Sequence, residues 1–272
     1  MSEWDATTYD AKENLLRVVR HEAERFFALA EPAAAWEAET ACPEWQVRDI
    51  VGHIIDVTES YFVGFDAARR GDRVSDALGL RVMQERLDQG AKVHRELSQA
   101  DALERLRGDF TKLMEMCDAL GPEDWGGLVV PHKYMGPLPA FFYPTFQLID
   151  YGVHSWDIRQ GTGRAHGLSG DTADLLVPFM LIVWQATADA AADAPPWAIG
   201  IRVTSGHNAG TWRITAAPSG VAYEAGPVDD LPSVIEFDPG SFVLTAYGRS
   251  NSGTIRGDVA VADRFLNAFF RI

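Results

Sequence analysis

The stretch Phe146-Gln-Leu-Ile-Asp-Tyr-Gly-Val-His-Ser-Trp-Asp157 constrains this chain more than any other. Read as a helix, it sets Asp150, His154 and Asp157 at i, i+4 and i+7, on one face of a structure that turns once per 3.6 residues. Phe146, Ile149, Val153 and Trp156 form an apolar stripe beside that face. A carboxylate and an imidazole one turn apart make a paired ligand set for a metal ion. One helix cannot close such a site, so a further ligand has to come from elsewhere. His53, at the end of Val47-Arg-Asp-Ile-Val-Gly-His53, is the candidate. Three ligands, His53, Asp150 and His154, leave one position open, as in a catalytic zinc site; structural zinc is usually closed by four. Iron, nickel or manganese compete for the same donors. The competing reading makes both histidines hydrogen-bonded core residues.

Other residues near these motifs carry alternatives of their own. Asp157 either orients a ligating imidazole from behind or pairs with Arg159 or Arg164, and the structural role is favoured. Asp49 and His53 repeat the Asp-x-x-x-His spacing, but Asp49 falls in a first helical turn, where the helix dipole favours an acid. His132 lies in a long connection before the ligand helix and is the candidate for holding a cofactor. His21, His94, His166 and His207 sit in polar surroundings and read as surface residues. Cys42 has Glu39 and Glu44 as neighbours, not the electropositive setting of a reactive thiol, and reads as inert.

The balance of 39 acidic against 24 basic residues gives a formal net charge of −15. That argues against nucleic acid or an anionic membrane surface as the main partner. Two cysteines, Cys42 and Cys117, form neither a metal spacing nor a disulfide framework, so a reducing cytosol is expected. Met1-Ser-Glu-Trp-Asp lacks an apolar run, so no signal peptide is expected, and no stretch is long and apolar enough to span a bilayer.

Apolar residues at helical spacing predict helices over about Thr8–Leu29 and Val47–Arg70, then two between about Ser75 and Ala119. An irregular connection, Gly126 to Pro139, leads into the Asp150 helix, which Gly161 and Gly163 end. A further apolar helix follows over about Asp171–Ala192. The pattern changes at Ala194-Pro-Pro196. Strands are expected over 198–204, 211–215, 221–224 and 234–237, a short helix over 239–247, a strand at 254–256 and a closing helix over 259–270. The class is α+β: a helical bundle over residues 1–193, then a small α+β domain over 194–272.

With these motifs in view the chain resembles the mycothiol-dependent maleylpyruvate isomerase family of the DinB-like metal-binding superfamily. The resemblance rests on Cys42-Pro-Glu-Trp-Gln-Val-Arg-Asp-Ile-Val-Gly-His53, and on Asp150-Tyr-Gly-Val-His-Ser-Trp-Asp157 followed by Gly161-Thr-Gly163. The later half, with Tyr247-Gly-Arg-Ser and Ile255-Arg-Gly-Asp258, is similar to the small α+β domain such proteins carry, which resembles sterol-carrier proteins. The resemblance implies a four-helix bundle holding a divalent metal, usually zinc, on two histidines and a carboxylate. His53 and His154 match the histidines, and Asp150 stands where the family usually has glutamate. It also implies an enzyme that uses mycothiol to isomerise, or to transfer sulfur to, a small electrophile, as a monomer or homodimer. Arg249 or Arg256 would then neutralise a carboxylate of substrate or thiol. The alternatives are a thiol-independent metal hydrolase or lyase, and a non-catalytic protein that binds a metal and a small ligand.

Overall fold

The computed structural model describes residues 3–72, 76–164, 166–189, 195–218 and 220–270. Its contacts divide the chain into two compact units, Met1–Leu168 and Ser169–Ile272.

The first unit is helical. It runs α1 (Lys12–Ala30), α2 (Val47–Arg70), α3 (Leu80–Lys92), α4 (Gln99–Asp118), α5 (Pro122–Gly127), a hairpin of β1 (Val129–His132) and β2 (Gly136–Pro139), and α6 (Phe142–Gly161). Helices α1, α2, α4 and α6 meet in one core that includes Phe26, Phe27, Ile50, Ile54, Leu106 and Tyr151. Each presents one apolar stripe except α6, which is buried along nearly its whole length from Tyr143 to Ile158. A helix buried all round is the central one of its unit. The polar side chains it carries are therefore held among apolar neighbours.

The caps explain the helix limits. Asp49 Oδ2 accepts the Gln46 N–H at 2.8 Å at the start of α2. Gly71, at φ 68, closes the same helix in the left-handed conformation that glycine adopts most cheaply. Ser98 accepts the Asp101 N–H at the start of α4. At the other end of α4 the buried Lys12 Nζ donates to the Asp118 and Leu120 carbonyls at 2.7 and 2.6 Å, satisfying acceptors a helix end leaves open.

The connection expected to be irregular over 126–139 is ordered. It contains the end of α5 and an antiparallel ribbon in which Val130 pairs with Leu138 and His132 with Gly136. Three prolines disguise it. They are tolerated because both strands of a two-stranded ribbon are edges.

The second unit begins with a helix. It runs α7 (Gly170–Thr187), β3 (Trp197–Val203), β4 (Gly210–Ala217), β5 (Gly220–Ala225), β6 (Ser233–Phe237), α8 (Pro239–Ala246), β7 (Thr254–Gly257) and α9 (Val259–Leu266). The sheet order is β5-β4-β3-β6-β7, with β3 and β6 parallel and the other neighbours antiparallel. Trp184 of α7 packs its ring against Phe242, Phe265 and Phe269 at centroid distances of 4.9, 4.8 and 5.7 Å. Asp174 of the same helix accepts the backbone N–H groups of His207 and Asn208, which lie between β3 and β4. These contacts place α7 with the sheet, whereas its composition groups it with the helices before it. Residues 193 and 194, where the change of pattern sets a boundary, lie outside the described residues. Among the described residues no helix is long and apolar enough to cross a membrane.

Candidate metal centre

Helix α2 presents His53 and helix α6 presents Asp150 and His154, all three buried. One ligand atom from each lies within 4.8 Å of the others. His53 Nε2 stands 3.6 Å from Asp150 Oδ1, and the two imidazole rings are 5.3 Å apart at an interplanar angle of 84°. Donors that each sit about 2.0–2.1 Å from one zinc ion lie roughly 3.3 Å from each other, so the set needs only small closure to hold it. The shorter aspartate side chain reaches the imidazole of α2 without help.

The surroundings of Asp150 and His154 fix which atom each presents to the group. Gln147, fully buried one turn before Asp150, donates its amide to Thr58 Oγ1 at 3.1 Å and to Asp150 Oδ2 at 3.4 Å. That occupies one carboxylate oxygen and leaves Oδ1 toward His53. His154 Nδ1 lies 2.9 Å from Asp157 Oδ2. The buried carboxylate accepts the Nδ1 proton, so Nε2 is the nitrogen left to bind a metal. Burial lowers the His154 pKa below its ordinary value although Asp157 acts to raise it, which favours the neutral ring that metal binding requires. Asp157 is fully buried and stands behind the His154 ring, the position of a carboxylate that orients an imidazole. A buried carboxylate facing two imidazoles is an expensive arrangement that a cation relieves. The donor set, its burial and its hydrogen bonds fit a divalent metal.

The indole of Trp45 forms a wall beside both rings, at 5.3 Å from His53 and 6.1 Å from His154. Its Nε1 donates to Asp88 of α3 at 3.1 Å, which holds that wall in place. Trp45 and Thr58 meet these groups only across elements, which sequence spacing does not show, whereas Gln147 stands three residues before Asp150 on the same helix and was open to a spacing argument. A second group of potential ligand atoms, Cys42, His154 and Asp157, adjoins the first and shares its histidine.

His132 joins neither group. Its Nδ1 accepts the backbone N–H groups of Tyr134 and Met135 at 3.3 and 3.1 Å, which shapes the tip of the β1–β2 hairpin. Its ring lies among Tyr61, Tyr143 and Phe146. Burial pushes its pKa down from 6.5 to about 4. The unfolded chain therefore binds more protons than the fold between those values, so stability falls as pH drops from about 6.5 to about 4. A His132→Asn variant keeps an acceptor in place of Nδ1 but cannot titrate. Its urea midpoint is expected to change less than that of the wild type between pH 7 and about pH 4.5, a window set by the His132 shift. Equal slopes in the two proteins would refute this account of the histidine.

Of the two arginines singled out, Arg256 on β7 donates to Glu236 on β6 at 2.6 Å, and Glu236 also binds Arg202 on β3. This is an ion-pair ladder across three neighbouring strands. Arg249 instead lines a cavity of about 310 Å³ in the second unit, with Trp184, Thr245, Ser250, Asn267 and Phe269. Its Nη1 donates to the Tyr247 carbonyl.

A family model described as the mycothiol maleylpyruvate isomerase N-terminal domain matches residues 17–159, more than half of the chain. A crystal structure of the mycothiol-dependent maleylpyruvate isomerase is 14% identical and covers 96% of this chain and 97% of its own, with a TM-score of 0.60. A histidine-to-alanine mutant of a mycothiol-dependent maleylpyruvate isomerase is 13% identical over 96% of this chain and 97% of its own, with a TM-score of 0.61. At such identity the likeness speaks for a shared fold over nearly the whole chain. No curated protein is matched. The region matched by the family model contains His53, Asp150 and His154 and ends two residues past Asp157, so the chain belongs to the mycothiol maleylpyruvate isomerase N-terminal domain family.

Proposed function

We propose that this protein is a metal-dependent enzyme that uses a low-molecular-weight thiol, mycothiol on the family's precedent, to isomerise or conjugate a small electrophile. The observation that carries the reading is the buried group of His53, Asp150 and His154, three ligands from two helices. A divalent ion there, zinc by its donor set, would supply a Lewis acid with an open position, which lowers the pKa of a thiol and so raises the fraction of nucleophile.

The protein's own residues do the rest. Asp157 keeps the His154 proton on Nδ1, and Gln147 keeps Asp150 turned with one oxygen forward. Trp45 walls the two histidines on one side. In an isomerisation the thiol sulfur bonds to one carbon of an activated double bond. The remaining bond rotates, and elimination breaks the carbon–sulfur bond, returning the thiol and the trans alkene. In a transfer the carbon–sulfur bond stays and the conjugate leaves. A carboxylate of substrate or thiol neutralised by Arg249 or Arg256 is part of the same proposal. A reducing cytosol as the setting, a small-molecule partner and the sterol-carrier likeness of the second unit belong to the same proposal.

The test pairs metal analysis with a thiol-dependence assay. The purified protein should carry near one divalent ion per chain. It should consume maleylpyruvate or a related electrophile only when mycothiol is supplied. Turnover that persists without any thiol would favour a hydrolase or lyase. Metal without any turnover would favour a binding protein.

A further inference from the structure

Cys42 is not the isolated residue its sequence neighbours suggest. Its Sγ lies 3.1 Å from Asp157 Oδ2, the same oxygen that His154 Nδ1 approaches at 2.9 Å, and 3.8 Å from that nitrogen. Both donors converge on one carboxylate oxygen that is fully buried. A buried carboxylate takes up whatever orientation its donors dictate, because losing one is costly. The thiol therefore helps decide which way Asp157 faces, and Asp157 decides how the His154 ring is held.

The surrounding turn is built to deliver that sulfur. Ala41 N–H donates to the Asp157 backbone carbonyl at 2.9 Å, so the segment is docked on α6 at the very residue its cysteine touches. The Cys42 N–H donates to Thr40 Oγ1, and that hydroxyl donates to the Trp45 carbonyl. Gly161 permits the approach: a Cβ there would stand 2.2 Å from the Glu39 carbonyl oxygen and 2.5 Å from Thr40 Cα. Glu44, at φ 66, is the one non-glycine residue at positive φ among the described residues. Such a conformation persists where the surroundings over-determine it. It lets the turn point Cys42 inward at Asp157 and lay Trp45 beside the two histidines.

We propose that Cys42 is a positioning residue of the metal centre. Its thiol donates to Asp157 and so fixes the carboxylate that holds His154 with Nε2 forward. The proposal rests on the metal reading of the site, but it makes a claim about His154 that holds without metal. It assigns no nucleophilic role to the sulfur and does not make it a ligand.

The experiment compares wild type with Cys42→Ala, Cys42→Val and Cys42→Ser, the last of which keeps a donor while valine keeps only volume. Zinc affinity is measured by competition with a chromophoric chelator. The tautomer of His154 in the metal-free protein is read by nitrogen-15 NMR, and metal-free melting temperatures are recorded beside it. Loss of the donor in Ala and Val is expected to weaken zinc by about tenfold, the low end of what outer partners of ligands contribute. It should also mix the two tautomers of His154, while Ser stays within about threefold of wild type. Unchanged affinity and an unchanged Nδ1–H tautomer in folded Ala and Val variants would overturn the proposal. A sulfur-to-cobalt charge-transfer band in the cobalt-loaded wild type would also overturn it, by making Cys42 a ligand. A wild type that binds no metal sinks the proposed function instead, and the tautomer measurement then decides the role of Cys42 alone.

Discussion

A His154→Ala variant is expected to purify with almost no divalent metal where the wild type carries near one ion per chain. His154 is one of the three proposed ligands, and two donors from a buried carboxylate and an imidazole hold zinc far more weakly than three. The affinity should fall by more than roughly 100-fold, beyond what is lost when an outer partner of a ligand is removed. Thiol-dependent turnover should fall with it. The variant also strips Asp157 of its imidazole donor, which costs about 1–3 kcal/mol for a buried acceptor. An Asp150→Asn variant separates the two effects. It removes a ligand charge at constant volume and leaves the His154–Asp157 pair intact, so metal should be lost with little change in metal-free stability. Elemental analysis and melting curves of both proteins check this. Full metal occupancy in His154→Ala would mean that the ion, if any, sits elsewhere.

Asp49→Ala is expected to produce the largest loss of stability. The side chain is fully buried, yet it accepts Arg95 Nε and Nη2 at 2.6 and 2.8 Å and the Gln46 N–H at 2.8 Å. Burial alone would raise its pKa. The Arg95 bonds, the Gln46 amide and the charges of Arg95 and Arg48 outweigh it and bring the value below the ordinary one. The pair ties α2 to the segment that follows α3, and its loss uncaps the helix that carries His53. Breaking a buried ion pair costs about 3–5 kcal/mol, and Arg95 reaches solvent, so about 2–3 kcal/mol is expected here. The sign with pH follows from the lowered pKa. The contribution is present above the unfolded value near 3.8 and is lost as pH falls through the lower folded value. Equilibrium unfolding in urea at neutral pH checks the magnitude, and a loss below about 1 kcal/mol would show that the arginine is a surface ornament.

Much of this was legible because helical spacing is a local property. The stripe Ile50, Ile54, Val57 and Tyr61 places α2 at Val47–Arg70, with Val57 only part-buried, and the spacing of Asp150 and His154 places both on one side of α6. Pairing those two with His53 rested on residue type and family resemblance, and the helices bring all three together. What was hidden is non-local. Cys42 reads as inert from Glu39 and Glu44, but its partner lies 115 residues on. Asp157 leaves two readings open, and the less favoured one, a carboxylate behind the His154 imidazole, is the contact made. The hairpin was hidden by its own prolines, which mark loops more often than edge strands. Helix α7 shows a different limit. An apolar helix announces that it is buried, not where, and the Pro-Pro that follows it reads as a boundary although it separates two elements of one unit.

That placement of α7 governs how the chain can be taken apart and recombined. A piece that begins at Ser169 brings its own helix cap, since the serine Oγ accepts the Thr172 N–H, and it keeps Trp184 among its phenylalanines. A piece that begins at residue 194 would leave that tryptophan behind and open the middle of a second core. Any exchange of modules between such proteins, in the laboratory or in evolution, therefore has its natural seam ahead of α7, about 25 residues before the change in composition suggests.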